Sequence, residues 1–284
     1  MAPDREGPEM DLEAEYNNRA RVPGHPAIIA GWQRDAAAWR AACPRAELDL
    51  AYGESAREKL DLFWPEGRDE APMAIFIHGG YWQALDKNFH SHCARGLVER
   101  GIAVAVPSYD LCPQVTMETI VAQMRAAALF LWRRHGRRLF AYGHSAGGHL
   151  SAMLAATDWA ALGATDGTAL RAPARLVPAI GPISGVFELE PLLGTSVAEK
   201  LGLDQARARA LSPRFFAPPA EVAVHAVVGG AESGEFIRQT RDFATAWGGT
   251  AEEAPGEDHF TVIAPLADAA SAMVERFAGM VPVG

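Results

Sequence analysis

The chain has 284 residues, of which 49% are hydrophobic and 21% are charged, and its formal net charge is −9. These proportions are typical of a globular protein, and the acidic balance argues against a general nucleic-acid binder. No apolar stretch approaches the length of a membrane span, and residues 1–10 lack the basic and apolar regions of a signal peptide. The 3 cysteines are widely spaced and form neither a disulfide framework nor a metal-ligand pattern, so a cytoplasmic protein with reduced thiols is expected.

Residues 1–44 are predicted to form an N-terminal arm with a disordered start and two helices. The second helix, over about residues 26–42, places Ile28, Trp32 and Ala36 on one face, which gives an apolar stripe. Two roles are open for the arm. It packs on the main domain, or it also covers the mouth of an active site.

Residues 45–284 alternate between strand and helix patterns and are predicted to form a single domain. The first two strands alternate apolar and polar residues, which is typical of an antiparallel edge, and the later ones are continuous apolar runs, which are typical of buried strands. The predicted strands are residues 47–52, 59–64, 73–77, 102–106, 139–142, 174–180, 222–228 and 250–254. We therefore expect the α/β class, with a mostly parallel doubly wound sheet, an antiparallel N-terminal edge and flanking helices.

Four helices and one irregular stretch complete this prediction. Helices are expected over about residues 87–100, 117–134, 235–247 and 261–279, the last of which closes the chain. Residues 186–220 are interrupted by prolines and are predicted to form a small cap insertion beside the active site.

A Gly-x-Ser-x-Gly turn connects the strand at residues 139–142 with an alanine-rich helical stretch. Such a turn holds a serine in a strained conformation with its hydroxyl above the sheet. Gly143 and Gly147 lack a Cβ where strand and helix approach each other. Ser145 is therefore the candidate nucleophile, and a glycine-rich connection without chemistry is the alternative.

A serine nucleophile needs a base, and the base needs a group that orients it. In an open α/β sheet these groups follow the carboxyl ends of strands, and this fold has the order serine, acid, histidine. His259, in the last loop, is the candidate base, and Glu232 is the preferred acid. Glu235, which is expected near a helix start, and Asp258, which is adjacent to the histidine, are the alternatives.

Two glycines follow the strand at residues 73–77, in the sequence His-Gly-Gly-Tyr-Trp. Their backbone N–H groups are able to approach a tetrahedral intermediate closely. Gly79 and Gly80, with the N–H of Ala146, are the candidate oxyanion hole, and a glycine turn without function is the alternative.

Aromatic residues near these loops predict a pocket for an aryl group. The candidate substrate-binding residues are Tyr16, Tyr81, Trp82, Tyr109 and His149. Core packing is the alternative for the rings, and packing or hydrogen bonding for His149. The ring of His144, within the serine turn, is expected to point away from the nucleophile, and no arginine is evidently placed to bind a substrate carboxylate.

Five segments together resemble the α/β-hydrolase fold and, within it, the kynurenine formamidase (arylformamidase) group and its esterase relatives with a His-Gly-Gly-Tyr-Trp loop. These segments are residues 78–82, 108–113, 143–149, 232–239 and 258–260, and the likeness extends from about residue 11 to the end. The resemblance implies Ser145 as nucleophile, His259 as base and Glu232 as acid, at a position where the family usually has Asp.

The resemblance also implies an activity, which is hydrolysis of N-formyl-L-kynurenine to formate and kynurenine without a metal or cofactor. Esterase or amidase activity on another small acyl compound is the alternative, and an inactive hydrolase-fold binding protein is a more distant one. The expected partner is a small aryl or acyl substrate, with no nucleic acid and no membrane, and a homodimer stays open as the assembly.

Overall fold

The computed structural model describes residues 10–165 and 172–283, so the predicted disordered start lies almost wholly outside the described residues. Within them, eight strands form one sheet in the order β1-β2-β4-β3-β5-β6-β7-β8. The strands are β1 (Ala46–Ala51), β2 (Lys59–Phe63), β3 (Met73–Ile77), β4 (Ala103–Pro107), β5 (Leu139–His144), β6 (Ala179–Ile183), β7 (Ala223–Gly229) and β8 (Thr250–Ala254).

Helices flank the sheet, and several short 3-10 helices connect the elements. The α-helices are α1 (Leu12–Tyr16), α2 (Asn18–Arg21), α3 (His25–Ala42), α4 (Arg95–Glu99), α5 (Met117–His135), α6 (Ala146–Ala155), α7 (Trp159–Thr165), α8 (Ala198–Leu201), α9 (Gln205–Ala210), α10 (Gly234–Ala246) and α11 (Ala272–Ala278). The 3-10 helices are Lys87–Phe89, Ser91–Ala94, Glu190–Gly194, Pro213–Phe215 and Ala264–Ala267. Among the described residues, none of the helices is long and apolar enough to cross a membrane.

The pairing of the strands confirms a mostly parallel sheet with an antiparallel N-terminal edge. Strand β2 runs antiparallel to both β1 and β4, and every other pair is parallel. The carboxyl ends of β3, β5, β6 and β7 therefore lie at one edge, where the loops that carry the candidate site begin.

The core has two layers because successive side chains of a buried strand point to opposite faces. In β3, Ile75 and Ile77 pack on the face covered by α5, α6 and α10. Ala74 and Phe76 pack on the other face, where α3, α4 and α11 supply Trp32 and other apolar side chains. The continuous apolar run of β3 thus places buried side chains on both faces of the sheet, as the sequence indicated.

Three predicted elements were wrong in their extent. The expected helix at residues 87–100 is two 3-10 turns and the short α4, because Lys87 and Ser91 turn to the buried carboxylate of Asp61, at 2.9 and 3.2 Å. The strand expected at residues 174–180 begins at Ala179, after Pro178, and continues to Ile183 in register with β5.

The expected closing helix is also divided. A 3-10 turn with Pro265 in its first turn ends at Ala267, and Ser271 then caps α11 by accepting a hydrogen bond from Val274 N. Proline at a helix start and a serine cap each mark a separate helix, which the apolar pattern alone did not show.

Candidate active site

Ser145 occupies the turn between β5 and α6. Its backbone has φ +56° and ψ −118°, a conformation that costs a non-glycine residue free energy. Three hydrogen bonds hold it: Ser145 N donates to Ile183 O at 2.8 Å, and Ser145 O accepts from Gly148 N at 2.9 Å and from His149 N at 3.2 Å. The serine is only 2% exposed. The strained turn expected from the sequence is therefore present.

The two glycines of this turn are required by close backbone approach. A Cβ on Gly147 would overlap the Ile77 carbonyl of β3, and a Cβ on Gly143 would overlap the Gly147 carbonyl. Rigid backbone atoms cannot yield as a flexible side chain can, so only glycine fits at either position.

His259 and Glu232 meet beside this turn although they lie 27 residues apart in sequence. His259 Nδ1 is 2.6 Å from Glu232 Oε2. The other carboxylate oxygen accepts hydrogen bonds from Ser184 Oγ at 2.5 Å and from Gly229 N at 2.7 Å. Glu232 is 6% exposed, so its charge is held by these donors rather than by water.

Ser184 had no role in the sequence analysis. It follows β6 directly, at the same edge as the other site loops, and its φ is +49°. A polar residue just after a buried strand was the signal that could have identified it.

The two alternative acids lie elsewhere. Glu235 accepts hydrogen bonds from Tyr16 at 2.7 Å and from Arg238 at 2.7 and 2.9 Å, and it does not contact His259 through a hydrogen bond. Asp258 accepts from the backbone N–H groups of Phe260 and Thr261 at 2.8 and 3.0 Å, so it shapes the last loop.

His144 lies in the wall of the same cavity as Ser145. Its Nε2 is 2.7 Å from the backbone carbonyl of His259, and the two rings are 4.7 Å apart. Burial and the neighbouring His259 lower the pKa of His144 well below its ordinary value, so the ring is neutral and Nε2–H donates to the carbonyl. His144 therefore positions the loop that carries His259.

The glycine loop after β3 lies against the serine turn. A Cβ on Gly79 would come within 3.1 Å of Ser145 Cβ, so the backbone at Gly79 is adjacent to the serine. Gly80 has φ +107°, and a Cβ there would overlap the Ala84 carbonyl. Ala146 is the first residue of α6, where backbone N–H groups have no partner within the helix.

His78 begins this loop and packs against Tyr109. Their rings stack at 4.1 Å, and Tyr109 donates a hydrogen bond to His78 O at 3.0 Å. Burial lowers the pKa of His78 to about 4, which keeps the ring neutral near neutral pH.

A cavity of about 330 Å³ contains the serine and the histidine. Its lining includes residues from the arm, the glycine loop, the serine turn, residues 186–220 (the cap segment) and the last loop. The lining residues are Glu13, Tyr16, Asn17, Asn18, Arg19, Ile29, Trp32, Gly80, Tyr81, Gln83, Ala84, Leu85, His144, Ser145, Ser196, Val197, Lys200, His259 and Phe260. This size and mixture of apolar and polar groups are typical of a site for a small molecule.

The candidate substrate-binding residues divide into two groups. Tyr16 and Tyr81 line the cavity. Trp82, Tyr109 and His149 are buried outside its lining. The His149 ring lies edge-on to Trp82 at 5.0 Å, and its Nε2 is 2.8 Å from Leu211 O, so it links α6 to the cap segment. All three are packed among other side chains of the fold, and their part in substrate binding stays a prediction.

The N-terminal arm forms part of the cavity wall. Tyr81 donates a hydrogen bond to Tyr16 O at 2.7 Å, and Tyr16 in turn donates to Glu235. Across the mouth, both carboxylate oxygens of Glu13 accept from Ser196 of the cap segment, from its N–H at 2.8 Å and its hydroxyl at 2.9 Å. Of the two roles open for the arm, the structure therefore shows packing and also coverage of the cavity.

The residues that the structure describes contain no group of three or more His, Cys, Asp or Glu side chains arranged to hold a metal ion. The three cysteines are buried and unpaired.

Comparisons with known proteins identify similar sequences and similar structures. The BD-FAE family model matches residues 60–190. The kynurenine formamidase of Salmo salar is 32% identical over 235 residues, which are 78% of this chain and 77% of the relative. A crystal structure of a candidate thioesterase from Silicibacter sp. TM1040 is 35% identical and superposes with a TM-score of 0.83 over 96% of this chain and 99% of that one.

A more distant structure shows the fold alone. Esterase B from Lactobacillus rhamnosis is 21% identical and superposes with a TM-score of 0.69 over 93% of this chain and 92% of that one. Its sheet and flanking helices are those of the α/β-hydrolase fold, which this chain shares.

Proposed function

Since this chain belongs to the kynurenine formamidase family of α/β-hydrolases, we propose that it is a serine hydrolase that cleaves a small aryl formamide or ester through an acyl-enzyme intermediate. The 2.6 Å contact between His259 and Glu232, beside a strained Ser145, carries this proposal. We further propose N-formylkynurenine as the substrate and formate and kynurenine as the products, as the name of the Salmo salar relative suggests.

The proposed first half-reaction forms the acyl-enzyme. His259 Nε2 takes the proton of the Ser145 hydroxyl while the oxygen attacks the formyl carbonyl. The imidazolium then returns that proton to the leaving aryl amine, and the carbon–nitrogen bond breaks. Water repeats the sequence in the second half-reaction, which releases formate and restores Ser145.

Glu232 has two proposed tasks in this scheme. By accepting from Nδ1–H at 2.6 Å, it selects the tautomer in which Nε2 is free to take a proton. Its negative charge also stabilises the imidazolium that forms in the transition state. The donors from Ser184 and Gly229 hold the carboxylate in place for both tasks.

The oxyanion would be stabilised by backbone N–H groups. Gly79 lies against Ser145, and the N–H of Ala146 at the start of α6 has no helical partner. We assign these groups and Gly80 to the oxyanion hole, where one donor is typically worth about 100- to 1000-fold in rate.

The test of this mechanism is Ser145→Ala. A fluorophosphonate probe should label the wild-type protein and not the variant, and kcat for p-nitrophenyl acetate should fall by at least about 1000-fold. Labelling that persists in the variant, or an unchanged rate, would contradict the mechanism. Absence of labelling in the wild-type protein would favour an inactive binding protein.

A substrate comparison separates formamidase from esterase activity. A carboxylesterase or amidase acting on another small acyl compound is the second candidate, because the Silicibacter structure that is 35% identical is a candidate thioesterase. Release of kynurenine from N-formylkynurenine with a higher kcat/KM than that of p-nitrophenyl acetate supports the formamidase. Efficient ester cleavage without kynurenine release assigns the chain to the esterases.

A further inference from the structure

Two cationic side chains lie at the mouth of the cavity that contains Ser145. Arg19 belongs to α2 of the arm, Lys200 belongs to α8 of the cap segment, and both are exposed lining residues. Ser145 lines the same cavity and is 2% exposed. The cavity therefore leads from a buried serine to an exposed rim with two positive charges, which we call the cationic rim (Arg19 and Lys200).

Neither cation of the rim has a partner among the described residues. Within residues 10–165 and 172–283, the side chains of Arg19 and Lys200 make no ion pair and no hydrogen bond. Nearby arginines differ in this respect: Arg21, in the same short helix as Arg19, pairs with Glu15, and Arg207 in α9 pairs with Glu118. In the described part of the chain, the two cations that line the cavity are therefore free to bind a ligand.

Glu13, the carboxylate in the same lining, forms no ion pair with Arg19 or Lys200. Glu13 accepts hydrogen bonds from the Ser196 N–H and hydroxyl, and a third comes from Asn17 at 3.3 Å. The backbone hydrogen bond from Ser196, with the others, lowers the pKa of Glu13. Its oxygens are therefore engaged in closing the mouth rather than in pairing with Arg19 or Lys200.

The cationic rim is positively charged, whereas the molecule as a whole has a negative net charge. The chain carries a formal net charge of −9, which repels an anionic substrate at long range. A local pair of cations at the cavity mouth offsets this repulsion where the substrate enters. Arginine offers a planar fork that matches a carboxylate, and lysine adds a second positive charge.

We propose that Arg19 and Lys200 are specificity-determining residues that bind a carboxylate at the end of the substrate remote from the acyl group. This inference rests on the proposed function, since it places the acyl group at Ser145. It assigns the substrate to carboxylate-bearing acyl compounds. It also corrects the expectation that no arginine is placed for a carboxylate, because α2 brings Arg19 to the cavity only in the folded chain.

The experiment uses a matched pair of ester substrates, p-acetoxyphenylpropanoate and its primary amide. They share the acetyl group, and their phenol leaving groups have nearly the same size and differ in charge. The readout is the ratio of kcat/KM for the anionic substrate to kcat/KM for the neutral one. We expect the ratio to fall by about tenfold in the double variant Arg19→Gln, Lys200→Gln, as for two exposed charge contacts of moderate strength. Lys200→Glu should lower it further, by repulsion.

Matched controls test whether the effect belongs to the rim. Arg21→Gln removes a cation from the same helix, and Arg209→Gln removes one from the cap segment that pairs with Glu190. Both controls should keep the wild-type ratio. An unchanged ratio in the rim double variant, or an equal fall in the controls, would overturn the proposal while Ser145-dependent hydrolysis persists. Loss of dependence on Ser145 would instead overturn the proposed mechanism.

A second measurement needs neither turnover nor a folded variant. Phenylpropanoate should slow fluorophosphonate labelling of wild-type Ser145 more strongly than phenylpropanamide does, and this difference should decrease as salt is raised from low to high concentration. Equal protection by the acid and the amide at low salt would overturn the proposal.

Discussion

Glu232 and Glu235 lie three residues apart, yet they have different surroundings. Glu232 contacts His259 and receives donors from Ser184 and Gly229. Glu235 is the partner of Arg238 and Tyr16. Burial raises the pKa of Glu235, but these hydrogen bonds outweigh burial and leave the pKa below its ordinary value, so the group is an anion that holds the arm and α10 together.

This contrast predicts the effect of removing each charge. Glu232→Gln should lower kcat by roughly 100- to 10,000-fold, because the histidine loses both its correct tautomer and its counter-charge. Glu235→Gln should lower kcat by less than about tenfold and should mainly reduce stability. Steady-state kinetics on one substrate, with urea unfolding of both variants, measure this difference. A larger loss of kcat in Glu235→Gln would move the proposed acid to that residue.

At the scale of elements, the helices of the N-terminal arm line the cavity that contains Ser145. Helices α1 and α2 supply cavity lining, and α3 supplies Ile29 and Trp32. The arm is held by the hydroxyl of Tyr16, which donates to Glu235 at 2.7 Å and accepts from Gln239 at 2.6 Å. Burial and the adjacent carboxylate raise the pKa of Tyr16, so the hydroxyl keeps its proton.

Removal of this hydroxyl should loosen the arm. Tyr16→Phe leaves a buried carboxylate oxygen without one of its donors, which costs about 2 kcal/mol of unfolding free energy. We expect faster tryptic cleavage after Arg19 and Arg21 in the variant, measured by mass spectrometry of the native protein.

Tyr142→Phe is the control for that experiment. Tyr142 is also buried, but its hydroxyl donates to a neutral acceptor, Cys93 O at 3.0 Å, on the opposite face of the sheet from Tyr16. Its loss should cost about 1 kcal/mol and leave cleavage of the arm unchanged. Equal cleavage rates in Tyr16→Phe and the wild-type protein would show that the hydroxyl does not hold the arm.

At the scale of the whole molecule, several histidines are buried in the neutral form. Burial lowers the pKa of His78, His92 and His149 to about 4, and that of His90 falls well below its ordinary value. The same residues in an unfolded chain titrate near 6.5. Between about pH 6.5 and 4 the unfolded state therefore binds more protons than the folded state does.

The consequence is a loss of stability on mild acidification. The stability that these neutral histidines contribute is complete above about pH 6.5 and is lost as the pH falls toward 4, at about 1.4 kcal/mol per pH unit for each histidine. Urea unfolding at pH 7.5, 6.5 and 5.5 should show midpoints that decrease below pH 6.5. His149→Gln should reduce the slope by about one proton. Midpoints that stay constant down to pH 5.5 would contradict the prediction.

Much of the candidate site could be predicted from local patterns in the sequence. The serine turn and the glycine loop are recognisable as short motifs, and the structure adds the reason for the glycines, which is the close approach of Gly143 and Gly147 to the Ile77 carbonyl of β3. Strand order and the positions of loops after buried strands led to His259 and Glu232, which the structure brings within 2.6 Å of each other. The roles of these residues in the reaction stay predictions.

The α/β class, the antiparallel edge and the strained serine turn are all readable from the sequence alone, since each depends on residues close together in the chain. The tertiary structure was needed to distinguish the contacts of the neighbouring carboxylates and to find the contacts of His144 and Ser184. It also placed Trp82, Tyr109 and His149 in the core. Finally, it brought Arg19 and Lys200 to one cavity. These features depend on side chains from distant segments that meet when helices and loops pack at one edge of the sheet. The pattern of residues within one segment cannot show that two distant segments come into contact. The distance between two loops is set by the packing of the elements that carry them.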